Sequence, residues 1–217
     1  MTQLNADGTL DDNFPSSTFA SDSPRDSNAQ VQYLSNGEAV LATVESGDNQ
    51  NIRLRAFNLD GKPNLNFGTQ GQVSIDLGSS LDTLSAFLIT PEDQLFLLGR
   101  TGNLNPVLVQ RSKNGERVGS FGTDGQIVFS DDRDISFDDV IWNGVDVVLY
   151  DVYTAGKVTA AKVKTAGAVD RFIFDRPTIP GNNSTTLSKI IWSNRLGRYV
   201  GYGDVNTITG AIYTFAP

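Results

Sequence analysis

An x-Gly pair followed by an aromatic recurs along this chain at a nearly constant interval. The pairs are Asp7-Gly8, Asp60-Gly61, Asn114-Gly115 and Ala166-Gly167, with glycines 53, 54 and 52 residues apart. Phe14, Phe67, Phe121 and then Phe172 or Phe174 keep pace with them. A period near fifty points to propeller blades or a solenoid. Each unit must then be one supersecondary element that buries its apolar face only by stacking on its neighbours.

Within a unit the segments have strand length. The third holds Phe137–Trp142, Val145–Val152, Val158–Lys164 and Arg171–Asp175. The first two flank Asn143-Gly144, and Val31–Val44 folds back around Asn36-Gly37. Asn-Gly predicts a type I′ hairpin, whose two positive φ angles match strand twist. Equivalent hairpins are expected in Ala86–Gly99 and Lys189–Gly203, and a second hairpin per unit turns at the repeated x-Gly site. Every window of a dozen residues contains a turn residue or a β-branched cluster, so the expected fold class is all-β.

Four short antiparallel strands per unit make one propeller blade, and radial repetition protects their edges. Innermost strands starting near Ala29, Ser85, Ser136 and Thr186 count four blades in one domain over 1–217, with units of about 1–50, 51–104, 105–156 and 157–217. The last blade, ending in Ala211–Pro217, runs out of chain before its outer strand, whereas Thr9–Ala20 has an outer-strand pattern with no inner strand before it. Closure is therefore expected by the N-terminal strand pairing with the C-terminal blade. A piece of a larger propeller, or two chains sharing one ring, stays open as an alternative.

Two stretches, Leu54–Asp76 and Val109–Asp131, resemble the delta-60 repeat, a β-propeller repeat of bacterial proteins. They share its apolar-Arg strand, Asx-Gly turn and Phe-Gly step, while Leu4–Phe14 keeps the first half and Ala161–Asp175 keeps Gly167 and the aromatic. The resemblance implies a blade architecture, often found in surface or secreted proteins, and brings no catalytic residue set with it. The polar, acidic start "MTQLNADGTLDD" is unlike a signal peptide, so the compartment is left undetermined.

Composition narrows the chemistry. The sequence has no histidine, which removes the usual general base near neutral pH and the commonest zinc ligand. It has no cysteine, so thiolate nucleophiles and disulfides are excluded as well. A formal net charge of −8 argues against binding to a phosphate backbone. No run approaches the roughly 18–20 apolar residues of a membrane helix, so membrane insertion is not expected.

Two groups of residues remain as candidates. Ser130–Asp139 is the densest acidic stretch, and Asp131, Asp132 and Asp134 supply hard oxygens of the kind Ca²⁺ takes. The spacing lacks the central Gly and closing Glu of an EF-hand loop, so a solvated loop is the simpler account and no cofactor is expected. Asp131, Asp134 and Asp138 are also the carboxylates a carbohydrate-active hydrolase would draw on. The comparable connections Ser21–Ser27, Asp76–Asp82 and Pro180–Thr186 would complete a polar, mostly acidic rim. Trp142 and Trp192 lie 50 residues apart, each just before a hairpin turn. They suit either packing at a blade edge or stacking on a sugar face. The expected function is a non-catalytic recognition or assembly module, contacting a protein or glycan partner through its rim loops, with homo-oligomerisation open and a hydrolase as the alternative.

Overall fold

A computed structural model describes residues 5–12, 27–102, 105–129, 137–151, 157–175, 188–205 and 209–215. Short runs of apolar and β-branched residues between Gly-containing turns form the strands, and β-strands such as Leu95–Arg100, Pro106–Arg111 and Val147–Asp151 are buried along nearly their whole length. The first sheet comprises β1 (Ser27–Tyr33), β2 (Ala39–Val44), β3 (Ile52–Phe57) and β4 (Gln72–Ile75). The second comprises β5 (Thr83–Ile89), β6 (Leu95–Arg100), β7 (Pro106–Arg111) and β8 (Gln126–Val128). The third holds β9 (Asp139–Trp142), β10 (Val147–Asp151), β11 (Lys157–Val163) and β12 (Val169–Asp175), and the fourth β13 (Lys189–Ser193), β14 (Arg198–Val205) and β15 (Thr209–Phe215). In every sheet the strands follow one another in chain order, as an up-and-down meander. The all-β class and the inner-strand starts expected from the repeat are thus present, with β1, β5, β9 and β13 beginning within three residues of the expected positions. Among the described residues β15 pairs only with β14. The strand expected to complete that sheet falls mostly on residues 13–20, outside the described residues.

The chain divides into two compact units, 1–118 and 119–217. In the first, Val40, Ala42, Leu54 and Ala56 of the first sheet pack in one core with Phe87, Leu97 and Val109 of the second. Burying the Val, Leu and Phe side chains among them contributes about 1.5–3 kcal/mol each. A polar seam runs beside that core. Gln30 and Gln32 share one face of β1 because alternate residues point the same way, and Asn28, at a bulge with φ +53°, turns its amide toward the same neighbour. Their amides reach the backbone of β5: Gln30 Nε2 donates to Ser85 O at 3.1 Å and its Oε1 accepts from Phe87 N at 2.9 Å. Gln32 and Asn28 donate to Phe87 O and Leu84 O at 3.3 and 3.4 Å. A glutamine side chain is long enough to serve the free backbone groups of the facing strand, which would otherwise need water.

The recurrent glycines have a packing role. Gly61 and Gly115 adopt φ of +74° and +81°, and Gly68 and Gly122 are also left-handed. A Cβ on Gly115 would stand 2.9 Å from the buried Phe67 ring, and Gly68 N donates to Asn114 O at 2.9 Å. The turn of one repeat therefore rests on the Phe-Gly step of the preceding one. The second unit repeats the contact, since a Cβ on Gly167 would lie 2.7 Å from Gly122 N.

The turn types differ from expectation. Around Asn36-Gly37, Gly37 N bonds Leu34 O and Leu34 N bonds Glu38 O, with a positive φ at Gly37 alone. That is a three-residue loop with a glycine bulge, not a type I′ turn. Asn143-Gly144 differs again: Asn143 N bonds Asp146 O, with Gly144 the first central residue at φ +94°. The paired positive φ angles instead occur at Gln70-Gly71 and Asp124-Gly125, inside hairpins in which Thr69 and Thr123 exchange both backbone bonds with Gln72 and Gln126.

Candidate functional site

The second unit brings several of the candidate residues together. Trp142 ends β9 and pairs across the hairpin with Val147, while Trp192 lies on β13 opposite Tyr199. Both indoles are half-buried. Trp192 meets the Tyr199 ring edge-on at 4.9 Å and 65°. Asn143 Nδ2 donates to the Tyr199 hydroxyl at 3.1 Å, which joins the β9–β10 hairpin to the β13–β14 hairpin. Asn143 is itself rigid, because its Oδ1 accepts from Val145 N and Asp146 N at 3.0 and 2.7 Å. Burial pushes the Tyr199 hydroxyl pKa up, with the hydrogen bond from Asn143 acting the other way and Asp146 adding to the rise. At the tips of the two hairpins Val145 and Leu196 are exposed. The arrangement is two braced turns, each with an apolar tip and a half-covered indole behind it.

Toward the other end of β9, the acid expected in the loop is used inside the fold. Tyr150 Oη donates to Asp139 Oδ2 at 2.7 Å and accepts from Ile190 N at 3.1 Å. Lys189 Nζ stands 3.6 Å from the same Asp139 oxygen. Burial, then the neighbouring Asp139 charge, raises the Tyr150 pKa far above that of a free phenol. A phenol held neutral and donating to a carboxylate is a structural pin, not a nucleophile. Asp138 is half-buried and its backbone nitrogen donates to Tyr150 O at 2.9 Å. Asp131, Asp132 and Asp134 lie outside the described residues. The residues flanking their loop are fixed: the buried rings of Phe129 and Phe137 meet edge-to-face at 5.1 Å, with the Arg171 guanidinium 5.6 Å from the Phe129 centroid.

The expected acidic rim can be checked at Asp76–Asp82, and there it is only partly present. Asp82 is fully buried, accepting from Leu77 N at 2.6 Å and from Ser79 Oγ at 2.7 Å. Ser79 Oγ in turn accepts from Gly102 N at 2.6 Å. Asp82 therefore organises the connection from inside instead of presenting charge. Asp93 does similar work, taking up φ +61° at a hairpin tip and accepting from Ser35 N and Ser35 Oγ at 2.6 and 2.7 Å. Sequence reasoning placed Asp139 and Asp82 in solvated acidic loops and passed over Tyr150. The one local signal was a Tyr at a core position of β10, a residue that usually finds a hydrogen-bond partner when buried.

Among the described residues no three His, Cys, Asp or Glu side chains cluster as a metal would require. A cleft of about 400 Å³ in the first unit is lined by Arg53, Gly68, Thr69, Gln72, Val73 and Ser74. Its cation is already paired with Glu45.

Together these features define an all-β chain of consecutive antiparallel meanders with braced hairpin tips. No family model matches it, and no curated protein matches it. The solved structures similar to it include three that are each 10% identical. A protein of unknown function from Bacteroides caccae gives a TM-score of 0.49, over 86% of this chain and 59% of that one. The polysaccharide lyase Uly1 gives 0.48, over 86% and 43%. A GH43 glycoside hydrolase, engineered in its active site to display endo-xylanase and exo-arabinofuranosidase activity, gives 0.46, over 93% and 40%. The chain thus spans 40% to 59% of the length of these structures.

Proposed function

We propose that this chain is a non-catalytic recognition module, built as a small β-propeller of delta-60-like blades, that contacts a protein or glycan through its hairpin tips and connecting loops. In this reading each meander is a blade, and the N-terminal segment supplies the outer strand beside β15. The observation that carries the binding role is the pair of hairpin tips in the second unit. Val145 and Leu196 stand exposed on turns braced by the Asn143–Tyr199 hydrogen bond, with Trp142 and Trp192 half-covered behind them. Rigid aromatic and apolar groups on preorganised turns lose little entropy on binding. The use of Asp139, Asp82 and Asp93 as internal hydrogen-bond acceptors supports a non-catalytic role.

The test is a glycan array read in parallel with turnover of chromogenic glycosides. Glycan binding that Trp142→Ala and Trp192→Ala each weaken at least tenfold is expected, without turnover. Turnover abolished by Asp134→Asn or Asp138→Asn would establish the hydrolase instead. Glycan binding unchanged in both Trp variants would remove the hairpin tips from the site.

A further inference from the structure

The cleft beside β4 belongs wholly to the first unit, away from the hairpin tips of the second. Its volume of about 400 Å³ is that of a small-molecule pocket. Arg53 on β3 pairs with Ser74 on β4 and, on its other side, with Thr43 on β2. The three residues therefore form one row on one face of the sheet.

Two polar groups of this neighbourhood have no partner among the described residues. One is the hydroxyl of Thr43, a residue only 4% exposed. The other is Asn51 Oδ1, although Asn51 Nδ2 donates to Ser74 Oγ at 3.4 Å. Buried polar atoms nearly always have a partner, so both are free to take one from a ligand.

The second sheet keeps the loop and drops the polar row. Thr123 and Gln126 repeat the backbone bonds of Thr69 and Gln72. The bridges Phe57–Pro63 and Arg111–Arg117 align the two repeats, which sets Val107 at the position of Arg53 and Val128 at that of Ser74. The turn itself thus requires neither the guanidinium nor the serine.

We propose that this cleft binds one neutral, hydroxyl-rich ring, a single sugar residue of a glycan. The charge balance selects the class. Arg53 is held in an ion pair with Glu45, so the cleft offers guanidinium N–H donors whose charge is already matched. A phosphate or carboxylate would have to displace Glu45, whereas a sugar hydroxyl accepts from a guanidinium N–H without doing so. Gln72 adds an amide that both donates and accepts, and Thr69 and Ser74 add hydroxyls that do the same. Adjacent hydroxyls of a sugar ring need that mixture, because each donates one bond and accepts others. The site extends the glycan reading above to residues separate from the hairpin tips, so either site can fail without the other.

Saturation-transfer NMR on the full chain tests this, with D-glucose, D-galactose and D-mannose beside D-glucuronate and inorganic phosphate as probes. At least one neutral sugar is expected to bind, with saturable shifts of the Thr69–Ser74 amides. Gln72→Leu and Ser74→Val, both at exposed positions, are each expected to weaken it at least tenfold with the melt unchanged. Trp142→Ala and Trp192→Ala are expected to leave this binding as it was, which separates the result from that of the glycan array. The proposal is overturned if none of the three neutral sugars binds. It is equally overturned if D-glucuronate or phosphate binds more tightly than all three, or if binding survives both Gln72→Leu and Ser74→Val. Binding lost in the Trp variants instead would place the sugar at the hairpin tips and also overturn it.

Discussion

The hydroxyl of Tyr150, on β10, lies 3.1 Å from the backbone nitrogen of Ile190, on β13. One side chain thereby fastens the third sheet to the fourth while donating to Asp139. Tyr150→Phe keeps the ring and removes both contacts, leaving a buried N–H without its acceptor. A loss of about 1–3 kcal/mol is expected in urea unfolding. The same group fixes a pH dependence. Its folded pKa, like that of Tyr199, is raised above the unfolded value by burial. Stability from these groups is fully present below about pH 10 and is lost as pH rises beyond it, because the unfolded phenols ionise while the folded ones stay neutral. The decline measured above that pH is expected to be shallower in Tyr150→Phe.

Gln30 fills a comparable position in the first unit, where its amide serves Ser85 O and Phe87 N. Gln30→Leu preserves much of the volume and strands both backbone groups. Its cost is expected at about 1–3 kcal/mol in urea unfolding, with little change in the far-UV strand signal.

Two glycines separate backbone strain from packing. Gly144 has φ +94°, and a Cβ added there would meet nothing within 4 Å, so Gly144→Ala is expected to cost only the left-handed penalty, about 1–2 kcal/mol. Gly115 has φ +81°, and a Cβ there meets Val73 at 2.7 Å and the Phe67 ring at 2.9 Å. Gly115→Ala adds about 1–3 kcal/mol of overpacking to the same penalty. Equal losses in the two variants would mean that the repeat contact is looser than its geometry.

Much of the fold was legible in the sequence because the repeat, the turn residues and the short apolar runs between them are local patterns. Hairpin chemistry was legible only in part. Asn36-Gly37 was expected to form a type I′ turn, but the register of β1 on β2, which sets Tyr33 opposite Ala39, leaves a longer loop between them. The type I′ geometry fell to Gln70-Gly71 and Asp124-Gly125, where two residues join a Thr to a Gln. Trp142 and Trp192 were rightly placed beside turns, yet nothing local showed that Asn143 and Tyr199 would tie those turns together.

Spacing alone determined that this chain makes strands in groups, with an x-Gly turn in each and a Phe-Gly step in two of them, since steric limits on φ and alternation across a strand act over a few residues. Which acids face water was decided only in three dimensions. Asp82 and Asp139 look in sequence like their acidic neighbours, and they differ because distant groups, Gly102 through Ser79 in one case and Tyr150 and Lys189 in the other, converge on them when the sheets stack. Burial and hydrogen-bond satisfaction belong to the packed whole, and no window of sequence contains them.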